Sequence, residues 1–138
     1  MGTLYVAKSK ALQKWSADVG LTKHVYKVAI ADGTAEDAVT ALNDAAFAGE
    51  RDWRLVQKQD AGDIDEAGAL ERLERKNKLV DPAYYPKIRG ARGLVKAKFS
   101  NVQTQLLVRR TLEGLADISA KAKTADIAAY LIENALEA

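Results

Sequence analysis

The chain contains no cysteine. That excludes a disulfide framework, a thiol nucleophile and a thiolate-ligated metal, and it fits a reducing compartment. It has one histidine, His24, so neither a histidine-ligated zinc site nor a Ser-His-Asp arrangement is indicated. Its two prolines, Pro82 and Pro86, sit close together, so proline interrupts regular structure in one place only. The glycines are scattered and build no phosphate-cradling loop. No apolar run approaches the ~18–20 residues that span a membrane. The chain start lacks the basic-then-apolar pattern of a signal peptide. Gly2 does not open a myristoylation motif, because position 6 is Val. These absences predict a cytoplasmic protein with no membrane partner.

What is present suits one globular domain. The 138 residues are 48% hydrophobic and 29% charged, enough apolar content to bury a core without staples. The net charge of +2 hides an asymmetry. Residues 1–70 carry 8 Lys/Arg against 11 Asp/Glu, whereas residues 71–138 carry 13 against 8. Within 71–110 there are 11 basic residues and only 3 acidic ones, Glu71, Glu74 and Asp81. Such a stretch attracts phosphate backbones, or forms a solvated face balanced by the acidic first half.

The periodicity reads as α+β. Thr3 to Ala7 alternates as a strand, and Ser9 caps a helix running to about Val19, stopped by Gly20. Val25 to Ala31 is a second strand, apolar enough to be central. Thr34 with Asp37 opens a helix whose alanines allow close packing, and Gly49 ends it. Trp53 to Lys58 alternates as a third strand, with Trp53, Leu55 and Gln57 on one side. Asp63 with Glu66 has capping spacing and opens a helix whose charged face runs to Lys78. Pro82 to Gly93 is a loop. Leu94 to Phe99 is a last strand, Ser100 with Gln103 opens the next helix, and Thr124 with Asp126 the final one. The expected fold is a small, mainly antiparallel sheet of three to four strands flanked by helices. Residues 1–115 form the domain, 116–138 a C-terminal helical extension docked on it, and 116–123 is the best hinge candidate.

Several of these segments resemble the GIY-YIG nucleases, most closely the phage-type and fungal-type branches. Tyr5 matches the tyrosine of the first motif. Tyr26, followed by Lys27 and Val28, matches that of the second, with Ala29 where the family has glycine. The helix "GALERLERK" is similar to the one that carries the acidic metal ligand, at Glu71. "RGARGLVKAKFSNV" is similar to the late strand-and-helix segment. The likeness covers roughly residues 3–107. It implies a catalytic set of Tyr5, Tyr26 and Glu71, with Glu71 holding Mg²⁺ if the chain is an active nuclease and no cofactor otherwise.

The chain also departs from the family's pattern. The family places an arginine soon after its second tyrosine. Here that position is about Ala38, and no arginine occurs between Met1 and Glu50. Where the branch often has a histidine in the acidic helix, this chain has Glu74. Phosphodiester hydrolysis needs charge stabilisation at the leaving oxygen, and losing such a donor commonly costs ~10²–10³ in rate. A basic side chain from elsewhere, such as Lys27, could substitute.

Three readings follow. The first is a GIY-YIG-like scaffold without efficient nuclease activity that binds DNA or RNA through Lys27, Arg75, Lys87, Arg89, Arg92 and Lys96. In it, the aromatic and basic mixture "PAYYPKIRGARG" would contact nucleic acid. The second is an interaction or structural module in which the last helix is the docking element, its core-facing stripe of Ile127, Tyr130 and Leu131 packing on the same chain or on a protein partner. The third is a Mg²⁺-dependent endonuclease. Each site residue also has a plainer role: strand tyrosines with buried rings, and exposed helix carboxylates.

Overall fold

The computed structural model describes residues 2–21, 24–75, 77–80, 85, 88, 91–97, 99–112 and 123–136, and of residues 109–111 the backbone alone. The fold is α+β. Five strands, β1 Thr3–Ser9, β2 Val25–Ala31, β3 Trp53–Asp60, β4 Lys78–Leu79 and β5 Leu94–Lys96, form one sheet in the order β3-β1-β2-β5-β4. Every neighbouring pair is antiparallel. The helices are α1 Lys10–Asp18, α2 Ala35–Asp44, α3 Glu66–Glu74, α4 Phe99–Leu112 and α5 Thr124–Leu136.

The two central strands are buried on both sides, which is why they lack a polar face. In β1, Leu4 and Val6 belong to one buried cluster, while Tyr5 and Ala7 belong to another. In β2, Tyr26 and Val28 join the first cluster and Val25 and Ala29 the second. Helices α3, α4 and α5 cover the first face through Ala69, Leu73, Val102, Ile127 and Leu131. Helices α1 and α2 cover the second through Leu12, Ala35 and Val39. Side chains alternate along a strand, so each strand feeds both cores in turn.

Local chemistry sets most helix starts. The Ser9 hydroxyl accepts from the Leu12 N–H, and the Thr34 hydroxyl from the Asp37 N–H, each binding an N–H the helix leaves unpaired. The expected start at Asp63 is corrected: the cap is Asp65, whose carboxylate accepts from Gly68 N–H at 2.7 Å. Gly62, at φ +63°, turns the chain at that point and delays the helix. Glu66, expected to complete the cap, instead accepts from the Ile30 N–H of β2 at 3.2 Å, where β5 no longer pairs with that strand. Ser100 is likewise not a cap. Helix α4 already includes Phe99, and Thr104 Oγ1 donates back to the Ser100 carbonyl at 2.9 Å.

Two strand expectations also change. The last strand ends at Lys96, and Phe99 opens α4. In β3 a bulge opposite Val6 and Ala7 shifts the register, so that Gln57 pairs with Val6 and Lys58 with Tyr5. Gln57 therefore leaves the side of Trp53 and Leu55. Lys58 turns to α2 instead, where its ammonium meets Glu36 at 2.6 Å. The fifth strand, β4, is only two residues long and exists through its pairing with β5.

Helix α5 is part of the first core. Ile127, Tyr130 and Leu131, the core-facing stripe, are 3%, 5% and 0% exposed, so the stripe packs on the chain itself. The hinge candidate 116–123 lies, except for Lys123, outside the described residues, as does most of the loop from Pro82 to Gly93. Among the described residues no helix is long and apolar enough to cross a membrane.

Candidate nucleic-acid interface

The register between β1 and β2 decides the fate of the two tyrosines. Tyr5 pairs with Ala29, and directly paired residues share a face. Tyr26 is an odd number of positions from Ala29, so its ring lies on the opposite face. The structure therefore does not bring Tyr5 and Tyr26 together. Tyr5 is 4% exposed, and its hydroxyl is pushed up to about 12 by burial first and by the Glu66 carboxylate second. Tyr26 is 2% exposed. Burial raises its pKa too, while hydrogen bonds to the side chains of Thr124 and Gln13 oppose the rise.

Glu71 does not join either phenol. It lies on α3 between Ala69 and Leu73, which face the core, and its own side chain is exposed. Among the described residues no group of three or more His, Cys, Asp or Glu side chains is placed to hold a metal ion. A lone carboxylate holds Mg²⁺ poorly without substrate phosphates. The residues present do not fit a metal bound beside the two tyrosines.

Lys27 also differs from the reading that gave it to nucleic acid. It is 6% exposed, on the α1/α2 face. Its ammonium donates to the Arg92 carbonyl at 2.7 Å and sits 4.6 Å from the centre of the Phe47 ring. Burial holds its pKa down, Glu66 opposes this, and Arg92 adds to it. The turn it grips is tight: Gly93 has φ +80°, and a Cβ there would lie 2.6 Å from the Val28 carbonyl oxygen. Lys27 is an anchor for the segment entering β5.

The basic residues that do reach the surface gather at the β4–β5 edge. Lys78 pairs directly with Lys96, and Lys96 with Val25, so the two lysines stand in one row on the α1/α2 face. Like charges placed directly across a strand pair repel. Lys78 is exposed and Lys96 partly so. The exposed Arg92 leads into β5, and the exposed Arg75 caps α3 three residues before Lys78. None of these four is paired with a carboxylate among the described residues. Lys87 and Arg89 lie outside the described residues. The lysine row was hidden in the sequence, because β4 has no signal of its own; only the count of basic residues over 71–110 pointed to it.

The far end of the sheet carries the opposite charge. The turns after β2 and β3 bring Asp32, Asp60, Asp63 and Asp65 together with Glu36 and Glu66 around two hollows of about 500 and 420 Å³. The one lysine there, Lys58, is already paired with Glu36. A polyanion meets repulsion at this end and attraction at the β4–β5 edge.

No family model, curated protein or solved structure matches the chain.

Proposed function

We propose that the chain is a nucleic-acid-binding domain that does not cleave its ligand and that holds phosphates along the β4–β5 edge. The observation that carries this reading is the Lys78–Lys96 row, a repulsive placement with Arg75 and Arg92 beside it and no carboxylate partner among the described residues. An anion seated there relieves the repulsion. A GIY-YIG-like ancestry remains part of the proposal and rests on the sequence motifs. The divergence of Tyr5 from Tyr26, together with the exposed, isolated Glu71, supports binding over hydrolysis. A cytoplasmic location accords with this reading.

Fluorescence anisotropy with a labelled oligonucleotide at low salt tests it. Affinity is expected to fall steeply as salt rises, because each neutralised phosphate releases counterions. Lys78→Ala and Lys96→Ala should each weaken binding and lower the salt slope by about 1. Absence of any salt-sensitive binding at low ionic strength sinks the proposal. Incubation with plasmid and Mg²⁺ should leave the DNA intact. Cleavage that is abolished by both Glu71→Ala and Tyr26→Phe would restore the nuclease reading.

A further inference from the structure

Building on the nucleic-acid reading, we infer that the β4–β5 pairing is an ionic latch, strained in the free chain and tightened when a phosphate of the ligand sits across Lys78 and Lys96. β4 is two residues long and β5 three. Lys78 stands opposite Lys96 and Leu79 opposite Val95, and β5 is the one strand that β4 neighbours in the sheet. Beyond these pairs, the Val80 N–H donates to the Leu94 carbonyl at 2.8 Å. In so short a ladder each cross-strand pair is a large share of what holds the strand. One of the two pairs here is repulsive.

Apolar contact fixes the strand from both sides. Leu79 packs against the α3/α5 core and Val80 against the α1/α2 core. The residue before them opposes the arrangement a second time. Asn77 is 3% exposed. Its backbone N–H and its side-chain amide both donate to the Leu73 carbonyl, at 2.9 and 3.3 Å, while its Oδ1 is buried with no partner among the described residues. A buried acceptor left unpaired works against the folded state. β4 is thus held by apolar packing and opposed by charge and desolvation, which makes its edge open before the central strands do. A phosphate between the two ammoniums replaces one repulsion with two attractions. Binding and pairing then favour each other reciprocally. Because Asn77 joins β4 to the last turn of α3, the same closure steadies that helix end.

The test is amide hydrogen exchange of the full chain at low salt, read at Val80 against the fully buried Val6 of β1. In the free chain Val80 should exchange faster than Val6. Oligothymidylate of about twelve nucleotides, at about ten times its Kd, should slow Val80 about tenfold, because opening the edge destroys the site. Without ligand, raising sodium chloride to ~1 M should slow Val80 a few-fold by screening the lysine pair. Lys78→Glu places opposite charges across the pair; it should slow Val80 as much at low salt and weaken the binding of oligothymidylate. Lys78→Gln should fall between the parent and Lys78→Glu, and its exposed position spares the fold. Val80 protected as well as Val6 in the free chain, or Val80 exchange that neither salt nor Lys78→Glu slows, overturns the latch whether or not the oligonucleotide binds. Slowing by both, with no response to oligothymidylate, overturns the nucleic-acid reading beneath it.

Discussion

The two faces of the sheet are covered by different means. The α3/α5 face is closed mainly by aliphatic contact, with Leu4, Val6, Val28, Leu73, Val95 and Leu131 all fully buried, and a bond from the Arg72 guanidinium to the Leu136 carbonyl joins α3 to α5. The α1/α2 face is closed partly by specific polar bonds: the Lys27 ammonium on the Arg92 carbonyl, the Asn43 amide on the Trp53 backbone, and the Trp53 indole on the Phe47 carbonyl. Two alanines there, Ala46 and Ala48, hold positive φ values of 50° and 56°. Aliphatic packing fixes volume and tolerates small changes of angle. Directional bonds fix where a segment leaves the sheet. Of these bonds, that of Lys27 positions Arg92 at the entry to β5, whereas those of Asn43 and Trp53 hold α2 to β3 at the opposite edge of the sheet.

Substitutions sharpen this contrast in decreasing order of effect. On the aliphatic face, Leu131→Ala should cost about 2–5 kcal/mol in urea denaturation, since a fully buried leucine leaves a cavity. On the other face, Gly93→Ala should cost about 1–3 kcal/mol, through the positive φ and the close Val28 carbonyl. Its distinguishing mark is faster amide exchange around 91–95 before global unfolding. Asn43→Ala removes two bonds to Trp53, of 2.7 and 3.1 Å, and should cost about 1–2 kcal/mol. An Asn43→Ala loss equal to that of Leu131→Ala would erase the distinction between the faces.

The smallest expected effect is alkaline. Tyr5 is raised to about 12 in the folded chain, against about 10 when unfolded. The folded state therefore holds the phenolic proton more tightly. The stability linked to it is complete below pH 10 and is lost as pH rises from 10 towards 12. Tyr5→Phe should flatten the fall in stability across that window. A denaturation series in which Tyr5→Phe and the parent lose stability in parallel would contradict the burial of that hydroxyl.

How far the sequence could be read follows the range of the interactions. Ser9 and Thr34 were legible as caps because the bond they make reaches only three residues along the chain. The strands β1 and β2 were legible because a segment apolar on both faces has few other places to go. Asp65 was missed in favour of Asp63, since the spacing to Glu66 looked like a capping box and the demand of Ile30 for an acceptor is a tertiary fact. The tyrosine pair failed for the same reason. Residues 10–24 connect β1 to β2 through a helix, so no tight turn sets the register that pairs Tyr5 with Ala29. The basic character of 71–110 was visible, but its focus at Lys78 and Lys96 needed a strand too short to announce itself.

The central claim is that nucleic acid meets this molecule at the β4–β5 edge and not at the acidic end. Amide chemical-shift mapping by NMR during titration with oligothymidylate tests it directly. Shifts are expected to cluster at Lys78, Arg92 and Lys96, with little change at Thr3, Asp32, Thr34 and Asp60. Shifts centred on those acidic-end residues, or none anywhere at low salt, would contradict it.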